Sequence, residues 1–340
     1  MTNSLVLKEA LSIPSVIGKF AFSDKNPYQE ITDLINQKKI KYIVTIARGT
    51  SDCAALYSSY IFAKYLGLPS YSMPPSIITL EKSKFNFSEA LVIVISQSGK
   101  SADLIECEKK SQEFGAITML ISNNENSPII NSANYFFNML AGEEKSVAST
   151  KSFVQTLLIL KKLVFICQGK HGINDSIKIL SDTLLKDANN QWSIDLVDNS
   201  INSGFILGRG VGFALSNEMS LKFKELCQEM IEPFSSAEVM HGPKSLIQDT
   251  FKLFTLSMND KSGLTVQNDS NEITKYTKLV YNISSAKDQS KNFYFPPNQI
   301  TEFDSIVIMS KFYPWIVRYT QNKGLDPDKP RYLTKVTQTF

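Results

Sequence analysis

The stretch over residues 91–105 constrains the fold of this chain more than any other. Five apolar residues, LVIVI, are followed by the hydroxyl-rich turn SQSGKS and then by residues at helical spacing. A short apolar run that ends in Ser and Gly is typical of a buried parallel strand leading into a helix. Such a turn places backbone N–H groups and hydroxyls at a helix N-terminus, where phosphate commonly binds. The alternative is a plain capped turn whose serines serve only the backbone, since the turn matches neither glycine-rich phosphate motif.

The same strand–turn–helix pattern recurs along the chain. We predict strands at 41–46, 69–71, 91–95, 116–121 and 135–140 in the first half, and at 204–207, 253–256, 278–283 and 306–309 in the second. Strands that alternate with helical segments predict an α/β fold with mainly parallel, doubly wound, flavodoxin-like sheets flanked by helices. Ligands of such sheets bind at the carboxyl ends of the strands. The turns at 49–51 and 96–101 would therefore lie side by side if their strands are neighbours.

The length of the chain, 340 residues, favours two domains over a single core. The second-half turn Gly208-Arg209-Gly210 resembles Arg48-Gly49, a single short match that suggests a duplication. We predict an N-terminal helical segment over 1–39, a first domain over 40–168, a connecting helix over 169–200, a second domain over 201–325 and a C-terminal tail over 326–340.

Composition argues against several classes of function. The net charge is only +3 and no dense basic block occurs, so nucleic acid is not an expected partner. No apolar run has the length of a membrane span and no signal-peptide layout occurs, so we expect a cytoplasmic protein. No pair of His or Cys residues sits at ligand spacing, so we expect no metal. The widely spaced cysteines are predicted to be reduced and buried: Cys53, Cys107, Cys167 and Cys227.

Two parts of the second half carry side chains suited to proton transfer. In a helix predicted over 213–229, Glu218, Lys222 and Glu225 follow at spacings of four and three and share one face. They form either a surface ion-pair stripe or an acid–base site in which an ammonium tunes a carboxylate. His241 lies in the turn EVMHGP, where it is either packed or presented at a loop.

Five motifs, in order, carry a family resemblance: SQSG at 96–99, SVASTK at 146–151, LKFKE at 221–225, AEVMHGP at 237–243 and PRYLTK at 330–335. Together they resemble the isomerase half of glutamine–fructose-6-phosphate aminotransferase, which is built from sugar isomerase (SIS) domains. The resemblance spans about residue 5 to the C-terminus. It implies that both predicted domains are SIS domains, in a homodimer whose active sites lie near the subunit interface.

The resemblance also implies how a sugar phosphate would be bound. Its phosphate group would be held by Ser51, Ser96, Gln97, Ser98 and Ser101, with support from Gly49 and Thr50. Val147 and Lys151 fall in the segment that contacts the substrate in this family. Taken alone, Ser149-Thr150-Lys151 at the start of a helix is as well explained by capping.

The remaining roles implied by the resemblance concern the reaction itself. Glu225 would move a proton between C1 and C2 of the open-chain sugar, and Glu218 would support it. His241 would help to open the ring from the neighbouring subunit, Lys222 would act at the carbonyl end, and Lys335 would lie on a mobile tail. Aldose–ketose interconversion needs one base that serves both carbons and donors for the enediolate, which fits this set.

Departures from the aminotransferase pattern direct the choice of activity. We expect no glutaminase domain, because the chain has no N-terminal cysteine nucleophile. Arg48 replaces a small residue and Thr334 replaces an alanine, so both could reshape the pocket. The segments at 143–151 and 234–239 look most like stand-alone glucosamine-6-phosphate deaminases of the SIS type. We therefore predict conversion of glucosamine 6-phosphate and water to fructose 6-phosphate and ammonia.

Two other functions stay open at this point. One is a phosphosugar isomerase, or a deglycase for fructosamine phosphates, that keeps Glu225 but releases no ammonia from a 2-amino sugar. The other is a non-catalytic phosphosugar sensor. Sensors of that kind carry a DNA-binding helix-turn-helix, and residues 1–39 show neither its spacing nor enough basic residues.

Overall fold

The computed structural model describes residues 4–286, 292–297 and 301–335. The chain divides into two compact units. The N-terminal-sheet unit comprises Ser15–Glu144, Lys151–Ile179 and Thr334–Phe340, and the C-terminal-sheet unit comprises Met1–Pro14, Lys145–Thr150 and Leu180–Leu333. The predicted domain limits stay predictions, and residues 336–340 of the predicted tail lie outside the described residues.

The helices and strands are as follows. The helices are α1 (Leu5–Leu11), α2 (Ile13–Ser23), α3 (Tyr28–Asn36), α4 (Thr50–Leu66), α5 (Ser76–Thr79), α6 (Ala102–Glu113), α7 (Lys151–Cys167), α8 (Ile173–Lys186), α9 (Val211–Lys222), α10 (Ser236–Val239), α11 (Lys261–Ile273) and α12 (Asp304–Asn322). The strands are β1 (Tyr42–Ile46), β2 (Ser70–Ser72), β3 (Ala90–Ile95), β4 (Ile117–Ser122), β5 (Tyr135–Asn138), β6 (Ser203–Gly208), β7 (Met230–Ser235), β8 (Lys252–Ser257), β9 (Val280–Ser284) and β10 (Asn292–Tyr294).

The N-terminal-sheet unit is built on a parallel sheet with the strand order β2-β1-β3-β4-β5. The central strand, β3, is buried along its whole length, as its unbroken apolar sequence predicts. Helix α4 packs against α7, and α6 packs against β3 and β4. Helix α4 ends at Gly67, whose φ of 66° is the left-handed conformation that glycine adopts at a helix C-terminus.

The C-terminal-sheet unit has a second parallel sheet with the order β10-β9-β8-β6-β7. Helix α9 packs on β6 and β7, and α12 packs on α9. Read from the other edge, this order is β7-β6-β8-β9-β10, in which the strands follow one another as they do in the first sheet, with β6 in the place of β1. Together the two parallel sheets flanked by helices confirm the predicted fold class.

The strand predicted at 306–309 is wrong, because these residues lie within α12. Every residue from Asp304 to Val317 is buried, so the helix shows no polar face. A short apolar run without a polar face cannot be told from a strand by its periodicity. The pattern also missed two edge strands, β7 and β10; β7 contains Pro233, which an edge position tolerates.

The prediction for the cysteines holds in part. Cys107 and Cys227 are buried, whereas Cys53 and Cys167 are partly exposed because they lie close to the ends of α4 and α7. No disulfide joins any of the four in the described chain. Among the helices that the structure describes, none combines the length and the apolar character needed to cross a lipid bilayer.

Candidate active site

Two turns of the N-terminal-sheet unit meet at the carboxyl edge of its sheet. Strand β1 pairs directly with β3, from Tyr42 opposite Ala90 to Ile46 opposite Val94. The turns that follow these strands, 47–49 and 96–101, are therefore neighbours, as the sequence predicted on condition that the strands pair. Parallel α/β sheets bind their ligands at this edge.

Both turns lead into helices whose cap residues make no side-chain capping hydrogen bond. Gly49 is the cap of α4 and has no side chain, while Thr50 and Ser51 form the first turn of that helix. Ser101 is the cap of α6, and its hydroxyl makes no capping hydrogen bond. Since the N–H groups of a first helical turn carry partial positive charge, two such termini at one edge favour an anion.

Two serines of the turn at 96–101 accept hydrogen bonds from the backbone of the same turn. Gly99 N donates to Ser96 Oγ (3.1 Å) and Lys100 N donates to Ser98 Oγ (3.3 Å). These two serines thus serve the backbone, as the alternative interpretation expected, although each keeps its own O–H for a ligand. Ser96 is buried, and Gln97, Ser98 and Ser101 are partly exposed.

Residues after β4 brace the same turn and were not identified from the sequence. Ser127 Oγ donates to Gly99 O (2.7 Å), and Asn124 Nδ2 donates to Ser98 O (2.8 Å). Gly99 has a φ of 61°, and a Cβ at this position would collide with the side chain of Ser127. The turn thus requires glycine here for two reasons, its backbone conformation and its close approach to Ser127.

The segment that precedes α7 carries further predicted site residues. Lys151, the first residue of α7, is buried and its Nζ donates to Glu143 O (2.6 Å). Lys335 Nζ lies 3.5 Å from a carboxylate oxygen of the neighbouring Glu144. The two predicted lysines of the N-terminal-sheet unit, Lys151 and Lys335, therefore contact the adjacent residues Glu143 and Glu144. Val147 is half-buried and belongs to the C-terminal-sheet unit.

The C-terminal-sheet unit holds the predicted acid–base cluster. Lys222 Nζ lies 3.2 Å from Glu218 Oε1 and 2.7 Å from Glu225 Oε2. The side chains of Glu218 and Lys222 are fully buried, and that of Glu225 is 22% exposed. The alternative of a surface ion-pair stripe is therefore wrong for this set. The burial comes in part from α12, whose Tyr313 donates its hydroxyl to Glu218 Oε1 (2.8 Å).

The backbone changes its winding within this cluster. The predicted helix over 213–229 is α-helical only to Lys222, and Phe223–Cys227 forms a π turn. A π turn inserts one residue and is frequent at functional sites. It ends at Gln228, which has a left-handed φ of 56°. Glu225 lies inside the π turn. The π turn therefore sets the direction of this side chain, whose carboxylate is the one in the cluster that reaches solvent.

The exit of the π turn is fixed by a second buried ion-pair network. Glu229 receives hydrogen bonds from Lys252 Nζ (3.0 Å), Tyr319 Oη (2.8 Å) and Lys323 Nζ (2.8 Å). Glu229 and Lys252 are fully buried. Moving a buried carboxylate away from two cations costs free energy, so this network fixes the backbone that follows the π turn.

The charges in the cluster are set by burial. Burial raises the pKa of Glu218 to about 7, although Lys222 acts in the opposite direction. Burial alone would lower the pKa of Lys222, but the two carboxylates outweigh it and its pKa lies above the usual value. At neutral pH the cluster therefore keeps a protonated lysine beside Glu225, and Glu218 holds its proton to a higher pH than an exposed carboxyl would.

His241 is separate from these contacts. It is exposed in the turn that follows α10, where its backbone N donates to Glu238 O (3.0 Å). Within the described chain, no side chain hydrogen-bonds its ring. Its predicted action from a neighbouring subunit stays a prediction. In the same described part of the chain, no three His, Cys, Asp or Glu side chains are grouped as metal ligands.

The two parallel sheets flanked by helices define a doubly wound α/β protein whose polar turns lie at a sheet edge. Residues 34–165 match the SIS domain model. These residues therefore form a domain of the SIS family.

Curated relatives include isomerizing glutamine–fructose-6-phosphate aminotransferases. The one from Fusobacterium nucleatum subsp. nucleatum is 28% identical over 360 residues, covering 97% of this chain and 58% of the relative. The one from Campylobacter jejuni subsp. jejuni is 30% identical over 319 residues, covering 87% of this chain and 51% of the relative. The chain thus spans about half the length of these relatives.

Solved structures agree with the fold. A Silicibacter pomeroyi DSS-3 protein provisionally assigned as a phosphosugar isomerase is 26% identical, covers 96% of this chain and 100% of its own, and has a TM-score of 0.85. A glucosamine-6-phosphate deaminase from Thermotoga maritima is 18% identical, covers 99% and 100%, and has a TM-score of 0.79. At that identity the second likeness concerns the fold alone.

Replacing Gly99 by alanine tests the construction of the polar turn. Gly169→Ala is the matched control, because its φ of 67° is equally left-handed but no atom lies within 4 Å of the added Cβ. We expect the control to cost about 1 kcal/mol of unfolding free energy, and Gly99→Ala to cost about 1–3 kcal/mol more through its collision with Ser127. Urea denaturation of both variants measures the difference. Equal losses would contradict this account of the turn.

Glu218→Gln tests the charge state of the cluster. Because the pKa of Glu218 is raised by folding, its contribution to stability is complete below the unfolded pKa and is lost as pH rises through about 7. The wild type should therefore lose about 3 kcal/mol relative to Glu218→Gln between pH of about 4 and 7. Unfolding midpoints measured across this range check the prediction. Glu232→Gln, at an exposed carboxylate, is the control, and its stability should change with pH as that of the wild type does. If the stability of Glu218→Gln showed the same pH dependence as the wild type, the assignment would be overturned.

Proposed function

We propose that this protein converts glucosamine 6-phosphate and water to fructose 6-phosphate and ammonia. The observation that carries the proposal is the buried pair Glu218–Lys222 beside the partly exposed Glu225. A buried carboxyl and a buried ammonium beside a carboxylate that reaches solvent are suited to proton transfer, because the exposed group can meet a substrate while the buried groups set its electrostatic surroundings. The SIS domain over residues 34–165 and homology to isomerizing aminotransferases support the sugar-phosphate part of the proposal.

In this proposal the turns of the N-terminal-sheet unit bind the phosphate group. The partial positive charge at the N-termini of α4 and α6 would attract the phosphate group. The hydroxyls of Ser51, Ser96, Ser98 and Ser101 would donate to its oxygens. Gln97 would add an amide donor from the same turn. Lys151 and Lys335, both partly or wholly buried, would contact the sugar near the start of α7.

The proposed chemistry begins with opening of the sugar ring, assisted by His241. Glu225 then takes the proton from C2, and the electrons move to the carbonyl oxygen on C1. Lys222, held as a cation, would stabilise the developing oxyanion. Return of the proton to C1, with transfer of a proton from the amine to the C1 oxygen, gives a hydroxymethyl group at C1 and an imine at C2. Water adds to this imine and ammonia leaves, so the atoms of one water balance the reaction and no cofactor is needed.

Glu225→Gln tests the proposal directly. The purified protein is incubated with glucosamine 6-phosphate, and ammonia and fructose 6-phosphate are followed together. We expect equimolar release of both products, and a loss of at least about 100-fold in rate for Glu225→Gln, because general base catalysis contributes that much or more. Glu232→Gln is the matched control; its carboxylate lies in an exposed ion pair with Lys224 and should leave the rate unchanged.

Other outcomes decide between the remaining functions. Isomerised sugar without ammonia would replace the deaminase by a phosphosugar isomerase. A ketose/aldose isomerase for tagatose 6-phosphate from Escherichia coli shares the fold with a TM-score of 0.80 at 16% identity. Binding of sugar phosphates without any turnover would favour a sensor and would reject the catalytic role of Glu225.

A further inference from the structure

An ion pair links the two turns at the carboxyl edge of the first sheet. The guanidinium of Arg48 binds Asp103 through Nε and Nη2, both 2.9 Å from Oδ2. The Asp103 side chain is 4% exposed, whereas that of Arg48 is 46% exposed. Arg48 follows β1, and Asp103 lies in the first turn of α6, two residues after Ser101, so the pair joins the turn after β1 to the start of the helix that follows the turn at 96–101.

Asp103 lies where an anionic ligand would compete with it for the positive end of helix α6. It is in the first turn of α6, and its Oδ1 accepts from Leu104 N (2.9 Å). A carboxylate at a helix N-terminus uses the same partial positive charge that attracts phosphate. Its own negative charge would also repel a phosphate dianion, and burial weakens the screening of that repulsion by water.

Other acidic groups near these helix starts are placed differently. Asp52 in the first turn of α4 accepts from Ser72 Oγ (2.7 Å) and is exposed. Glu106, one turn further along α6, pairs with Lys82 at 2.9 Å, and both side chains are exposed. Of these three acidic groups, Asp103 is the buried one. A buried charge costs more free energy than an exposed one unless a counter-charge is close by.

We propose that Arg48 is a specificity-determining residue that neutralises Asp103 so that the turn at 96–101 accepts a phosphate dianion. The inference rests on the proposed function, because it assigns that turn to the substrate phosphate. Arg48 acts through Asp103 and is a positioning residue. It also accounts for the departure from the small residue that the aminotransferases have at this position.

The test compares four proteins in the Glu225→Gln background, which prevents turnover: the parent, Arg48→Ala, Asp103→Asn and the double variant. Calorimetry measures binding of glucosamine 6-phosphate and of inorganic phosphate to each. We expect Arg48→Ala to weaken binding by about tenfold, the effect of one uncompensated charge beside a partly exposed site. Asp103→Asn should bind at least as tightly as the parent, and the double variant should recover most of the loss.

The single variant Asp103→Asn separates this role from a merely structural one. If the ion pair only held the turns together, removing either partner would weaken binding equally, which would overturn the inference. With Glu225 intact, Arg48→Ala should raise KM and leave kcat nearly unchanged. Lys82→Ala, which breaks the exposed pair with Glu106, is the control and should change neither constant.

The outcomes also separate this inference from the proposed function. If the parent binds both ligands and Arg48→Ala binds them equally well, the inference is wrong and the proposed function stands. If the parent binds neither glucosamine 6-phosphate nor phosphate, the proposed function fails and the inference fails with it.

Discussion

Parallel pairing of the strands is the constraint on which the rest of each unit depends. Consecutive parallel strands must be joined by crossover helices, so every strand ends at the same edge and is followed there by a turn. In the first sheet this rule places the turn after β1 beside the turn after β3. It does so with no contribution from the polar residues themselves. Their hydroxyls and N–H groups come together because of where the apolar strands end.

Burial decides what the acid–base cluster is, and burial could not be predicted from spacing. The spacing of Glu218, Lys222 and Glu225 predicts that they touch, and they do. Whether such a set lies on the surface depends on α12, whose Tyr313 is 95 residues away in sequence from Glu218. The π turn is equally absent from the pattern, because the apolar spacing of 223–227 is compatible with an ordinary helix.

The sequence predicts most of the fold where apolar runs alternate with turns, as in β1, β3, β4, β6 and β8. It fails where tertiary burial erases the pattern, as in α12, and where an edge strand carries polar residues, as in β7 with Glu232 and Pro233. For the candidate site, motifs identify the residues of the polar turn but not the residues that brace it. Asn124 and Ser127 carry no local signal, since their role arises only from the pairing of β3 with β4.

The polar turn and the acid–base cluster differ in how their buried charges are arranged. The serines of the polar turn are neutral donors, and the buried carboxylate of Asp103, in the first turn of the helix that follows, is paired with Arg48. In the cluster, Glu218 and Lys222 are fully buried while Glu225 reaches solvent. Burial raises the pKa of Glu218, and the two carboxylates raise that of Lys222, so both buried groups bind their protons more strongly than they would in water. The polar turn therefore combines neutral donors with one paired charge, whereas the cluster combines two buried ionisable groups whose proton affinity is set by desolvation and by each other.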